Sequence, residues 1–283
     1  MGRLLSLQTA GSHSTKERAK ILVGKTLATI FPRRAAELKA SPTNHAARKH
    51  ERIMMAFLRD QARRNNDARF FETLHQEFWQ GEGGAVFSSN CDHRFEDLFL
   101  SRQQADFEKL QQVWSDGHYD RIVEIGCCSG LLLQFLTTQL PGVKSAIGID
   151  LNEEQIRENQ NQHGFDARIE FVCGDGFELA QSRGSRGTLY VTNGGVMEYI
   201  GRNQLDRMLS KLSHEIGDCL FFAVEPIAPD HDWSLNLDSM PFGEELSFSH
   251  NYTDAFDSNG FRVLHQRAFD YEQWRWMATL AVS

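Results

Sequence analysis

Apolar residues follow two textures along this chain. Within 44–64, Ile53, Met54, Phe57 and Leu58 recur at helical spacing, a second helix is expected over 70–78, and Phe95, Leu98, Phe107, Leu110 and Val113 share a face along 95–114. Pro32 and Pro42 punctuate the earlier stretch. Gly81-Glu82-Gly83-Gly84 makes a flexible break, and 88–93 reads as a loop before the last of these helices. Strands do not alternate with helices here, so residues 1–118 are expected to form a helical N-terminal cap.

From Tyr119 onward the texture changes. Short apolar strands at 121–125, 146–150, 169–173, 188–192 and 220–225 alternate with helices at 130–140, 153–163, 177–181 and 204–216. That alternation predicts a doubly wound α/β sheet with parallel strands. After a helix at 251–258, two strands at 261–269 and 274–282 follow almost directly. A connection this short cannot make a parallel crossover, so the last two strands must pair as an antiparallel hairpin. Residues 119–283 are therefore expected to be one domain built on seven strands.

Chemistry enters where these strands end. The first runs out in Glu124-Ile125-Gly126-Cys127-Cys128-Ser129-Gly130, an acid and a turn of small residues opening a helix. Such a turn presents backbone N–H groups to a ligand at the carboxyl edge of the sheet. Asp150 closes the second strand, and Asp175, within Cys173-Gly174-Asp175-Gly176, closes the third. An acid after a strand is often only a helix N-cap. Three in register are a different matter.

Five alternating strands, a terminal antiparallel pair and three strand-end acids together resemble the class I S-adenosylmethionine-dependent methyltransferases, over roughly residues 119–283. The family's first motif is acid-x-Gly-x-Gly-x-Gly. Here the outer glycines are Gly126 and Gly130, and Cys128 stands at the middle position. The resemblance implies a Rossmann-like fold and S-adenosyl-L-methionine as cofactor. It implies that the 124–130 loop, Cys127 and Cys128 included, cradles the methionine part, with Glu124 near its amino group. Asp150 would accept both ribose hydroxyls, Leu151 would flank the adenine, and Asp175 would meet its amino group. Gly174 or Gly176 would leave room for the ring, and Asn193 would stand beside the cofactor at the end of the fourth strand. A dehydrogenase fingerprint, G-x-G-x-x-G, fails at two of its three glycines when started from Gly126.

Methyl transfer is mainly a matter of positioning donor and acceptor, and a base is needed only where the acceptor must lose a proton. Candidates after the fourth and fifth strands are Glu198 and Tyr199, in Asn193-Gly194-Gly195-Val196-Met197-Glu198-Tyr199, and Glu225. The long connection over 227–249 carries His231, Asp232 and Trp233 and has the length of a functional lid. His250 opens the next helix. Upstream, His93 is a candidate base and Arg94 a candidate carboxylate clamp. The D/N-P-P-Y/F pattern of enzymes that methylate amino groups of nucleic acid or glutamine is absent. No clustered His/Asp set predicts a metal.

Composition narrows the rest. The chain has 283 residues, of which 41% are hydrophobic and 24% charged, as in an ordinary globular protein. Its net charge of −8 hides an asymmetry: residues 1–70 carry 15 Lys/Arg against 5 Asp/Glu, and 119–283 carry 12 against 24. The basic stretch would suit an anionic partner, but its aromatics lie beyond it rather than interleaved with it, which argues against a nucleic-acid platform. No apolar run approaches the roughly 18 residues of a spanning helix. The five cysteines form neither a metal pattern nor a disulfide framework, so a reducing cytoplasm is expected. The expectation is a cytoplasmic methyltransferase acting on an O or N atom of a small polar, natural-product-type metabolite, away from membranes, with a homodimer allowed. Two alternatives stay open: an RNA or protein methyltransferase using the basic N-terminal stretch, and a non-catalytic binding module spoiled at Cys128.

Overall fold

The computed structural model describes residues 15–43, 48–65, 67–80, 92 and 94–283 except 244–246. The expected glycine-rich break at 81–84, the loop at 88–93 apart from Asp92, and the candidate base His93 lie outside the described residues.

Seven strands form one sheet in the order β3-β2-β1-β4-β5-β9-β8. They are β1 (Arg121–Ile125), β2 (Ser145–Asp150), β3 (Ile169–Cys173), β4 (Thr188–Asn193), β5 (Leu220–Ile227), β8 (Arg262–Tyr271) and β9 (Trp274–Val282). The first five pair in parallel. β9 runs antiparallel to both β5 and β8, as the short connection requires. The chain thus has the doubly wound α/β fold with its terminal hairpin. The order reverses between β1 and β4, the switch point at which such sheets bind ligands.

Strand alternation sends residues to two apolar layers. Ile122, Leu189, Val191 and Phe222 meet Leu133 and Leu136 of α6 (Leu131–Gln139) and Leu110 and Trp114 of α5 (Gln104–Asp116). Val123, Tyr190 and Phe221 meet Leu205 and Leu209 of α9 (Arg202–Lys211) and Phe256 of α10 (Tyr252–Ser258). Two further helices, α7 (Glu153–His163) and α8 (Gly176–Arg183), follow β2 and β3.

The helices before residue 118 divide between two cores. α5 and a π-helical segment, Arg94–Leu100, pack on the sheet through Leu98, Phe99 and Phe107. By contrast α2 (Pro32–Ala40), α3 (Lys49–Arg64) and α4 (Ala68–Gln80) build a separate core from Leu38, Met54, Met55, Leu58, Phe71 and Leu74. α1 (Thr15–Ile30) lies against α3, with Gly24 so close that a Cβ there would sit 2.3 Å from Ile53 O. Phe248 ties this bundle to the sheet domain. It comes from a two-stranded hairpin, β6 (Met240–Phe242) with β7 (Ser247–Ser249), and meets Phe71 edge to face. The long connection after β5 is therefore an anchor for the cap.

The single helix expected over 95–114 is broken at Gln103. Arg267, on β8, donates to the Arg102 carbonyl at 2.6 Å and grips the buried Asp106 carboxylate with the same guanidinium. His265 Nε2 approaches Asp106 from 2.7 Å. A tertiary partner thus takes the carbonyl that a continuous helix would use. Among the described residues, no helix is long and apolar enough to cross a membrane.

Candidate active site

The turn after β1 is held in a conformation that only its residue types permit easily. Gly126 has φ +73, and a Cβ there would lie 2.8 Å from the Val196 side chain; at Gly130, φ +74, it would lie 2.7 Å from the Phe171 ring. Cys128 also sits in the left-handed region, at φ +46, where an L side chain is strained. Its N–H donates to Asp150 Oδ2 at 3.0 Å, and its carbonyl accepts from Asn159 Nδ2 at 2.6 Å. His163 Nε2 lies 3.0 Å from Ser129 O. Asn159 and His163, both on α7, thus brace the loop from behind. Contrary to the sequence expectation, Cys128 is disulfide-bonded, whereas Cys127, Cys173 and Cys219 are free thiols. Cys91 lies outside the described residues.

Glu124, Gly126, Cys127, Cys128, Asp150, Leu151, Gly174, Asp175, Gly176 and Asn193 all line one cavity of about 1240 Å³ including its mouth; Gly130 is not part of that lining. Glu124 is almost fully buried, and its Oε2 has no hydrogen-bond partner. Burial pushes its carboxyl well above the usual range, and the neighbouring Asp150 charge pushes the same way. Burial also raises Asp150, against the N–H groups of Asn152 and Cys128 that favour its ionised form. Asp175 caps α8, accepting from the Phe177 N–H at 2.9 Å. A buried carboxylate with an orphan oxygen needs a cationic or donating ligand, and an amino-acid ammonium beside Glu124 with a ribose beside Asp150 meets that need.

The residues proposed for chemistry divide. Tyr199 lines the cavity. Glu198, Glu225 and His250 are buried outside its lining. Glu225 Oε2 accepts from the N–H groups of Val196 at 2.8 Å and Met197 at 3.0 Å. His250 Nε2 lies 3.0 Å from Met197 O and must donate to it, so in the neutral ring Nδ1 accepts from Ser239 Oγ at 2.5 Å. Burial lowers the His250 pKa to about 4 and raises that of Glu225 to about 7. The two side chains grip opposite polar groups of the 3₁₀ turn Met197–Tyr199 from behind the cavity wall. That geometry suits positioning of Tyr199, and neither side chain is part of the cavity lining.

Sequence reasoning missed the roof. Glu72, His75, Gln76 and Trp79 of α4 line the same cavity. Glu72 Oε1 accepts from the Gly201 N–H at 2.8 Å. Tyr199 lies edge to face with both His75 and Trp79, each at 5.1 Å between centroids. These four α4 positions are spaced i, i+3, i+4, i+7, a visible stripe, but a stripe reads the same whether it covers a core or a ligand.

The fold and the loop together define an α/β domain with its cavity at the switch point of the sheet. Residues 122–215 match the family described as a methyltransferase domain. Among solved structures, the chain resembles magnesium protoporphyrin IX methyltransferase of Synechocystis PCC 6803 with bound S-adenosylhomocysteine, at 14% identity over 75% of this chain and 99% of that one, TM-score 0.51. It also resembles an S-adenosylmethionine-dependent methyltransferase of Clostridium acetobutylicum, at 12% identity over 69% and 98% of the two chains, TM-score 0.48. No curated protein matches the sequence significantly. Residues 122–215 thus carry a methyltransferase domain, and the chain shares the fold of S-adenosylmethionine-dependent methyltransferases.

Proposed function

We propose that this enzyme methylates an O or N atom of a small polar metabolite. The observation that carries this reading is the roof. α4 lies over the cofactor cavity and contributes Glu72, His75, Gln76 and Trp79 to the same lining as Glu124 and Asp150. A helix over the donor leaves room for a small acceptor beneath it and favours exclusion of water during transfer. Glu124, Asp150 and Asp175 hold the donor; Tyr199 and the α4 side chains face the acceptor. Glu225 and His250 fix the turn that presents Tyr199. Work in the cytoplasm fits this reading, and a disulfide at Cys128 would there be of the transient, redox-responsive kind.

The test is formation of S-adenosylhomocysteine by the purified chain with a fractionated small-molecule extract and, separately, with total RNA and total protein. Turnover with the small-molecule fraction is expected. Turnover with RNA alone, falling steeply with added salt, would instead assign the basic helical bundle to a polymer.

A further inference from the structure

Three features of the roof are left over once the cofactor is accommodated. The Glu72 carboxylate is half-buried in the cavity wall; among the described residues it accepts from the Gly201 N–H, and no Lys or Arg there pairs with it. Trp79 and Tyr199 meet at 64° and His75 and Tyr199 at 70°, so the three rings form a trough and not a flat stack. Glu72 stands one turn before His75 on α4 and holds the N–H of Gly201, two residues after Tyr199.

From these we infer that the acceptor is an aliphatic amine whose nitrogen lies against the Trp79 and Tyr199 rings with Glu72 beside it. A half-buried carboxylate without a counter-cation is stabilised by a ligand that brings one. Aromatic faces attract ammonium groups, more strongly when water is excluded. An anionic acceptor would meet Glu72 as a like charge, and a plain alcohol would leave it uncompensated. In the transfer itself the ammonium first loses its proton to solvent. The nitrogen lone pair then bonds the methyl carbon while the carbon–sulfur bond breaks and its electron pair stays on sulfur. The product is a more methylated ammonium, which the same rings and carboxylate suit.

This rests on the small-metabolite reading, and the test separates the two. The full chain, saturated with S-adenosylhomocysteine, is titrated by calorimetry with N,N-dimethylbenzylamine, benzyl alcohol, benzoate and a short RNA hairpin. The amine is expected to bind about tenfold more tightly than the alcohol, with benzoate weakest. Glu72→Gln, which keeps the acceptor for Gly201, should abolish that preference while leaving affinity for S-adenosylhomocysteine unchanged. Equal or better binding of the alcohol or benzoate overturns the amine assignment while leaving a small acceptor in place, and so does an unchanged preference in Glu72→Gln. Binding of the hairpin with none of the three small probes overturns both.

Discussion

Asp150 Oδ2 accepts the backbone N–H of Cys128 at 3.0 Å, so the acid assigned to the ribose also latches the loop assigned to the methionine moiety. Its other oxygen accepts from the Asn152 N–H at 2.9 Å. One carboxylate therefore pins both the turn after β1 and the chain after β2. Asp150→Ala removes the ribose acceptor and leaves two N–H groups unpaired. We expect affinity for S-adenosylmethionine to fall about 100-fold, the ~3 kcal/mol of hydrogen bonds to a charged group. Asp150→Asn, which keeps one acceptor, should fall between it and wild type. Calorimetry of the three proteins checks this; equal affinities would remove Asp150 from the site.

Glu225 gives a pH signature of stability. Its folded pKa of about 7 lies above the ordinary value of 4.5, because burial disfavours the charged form. Between these values the folded chain holds a proton that the unfolded chain has released, so this group's contribution is complete below about 4.5 and is lost as pH rises through about 7. The full span corresponds to about 3 kcal/mol. Glu225→Gln still offers an acceptor to the Val196 and Met197 N–H groups but cannot titrate. Urea unfolding of both proteins from pH 4 to 8 should show wild type losing stability relative to the variant as pH rises. Parallel curves would contradict the raised pKa.

Much of this fold was legible because its signals are local. β1, β2 and β3 announce themselves by apolar runs that stop at Glu124, Asp150 and Cys173, and the terminal hairpin follows from a connection too short for anything else. The break at Gln103 was illegible because its cause, Arg267, is distant in sequence and local periodicity runs through it. The same reason hid the cap side of the site: Glu72 and Trp79 acquire meaning only when α4 is laid over Tyr199. Glu225, like Glu124, lies near the carboxyl end of its strand, and only the backbone after β4, folding back onto it, turns one toward the cavity wall's rear and leaves the other in the lining.

Cys128 tests how the loop tolerates a side chain in the left-handed region. At φ +46 the residue is in a region that glycine enters freely. With the disulfide of the wild type reduced, Cys128→Gly should gain about 1 kcal/mol of stability over it from relieved strain. Its affinity for S-adenosylmethionine should be equal or higher, since the two backbone bonds to Asp150 and Asn159 do not involve the side chain. Chemical denaturation and calorimetry in the presence of dithiothreitol read both. Lower stability together with weaker binding would mean that the thiol packs as part of the loop.

His250 should act in the opposite direction from Glu225 as acid is added. Burial holds its pKa near 4, below the ordinary 6.5, so the folded chain keeps the ring neutral while the unfolded chain takes up a proton. Its contribution is present above about 6.5 and is lost as pH falls through about 4, a span of about 3 kcal/mol. His250→Gln retains a donor for Met197 O and removes the titration. Its stability relative to wild type should therefore climb from pH 7 to 4, the reverse of the Glu225→Gln trend. The same variant separates positioning from base catalysis. Because Nε2 donates to Met197 O and Nδ1 faces Ser239, substitution should lower kcat at all pH values without moving the pH dependence of kcat/KM. Loss of a limb from that profile would make His250 a proton carrier after all.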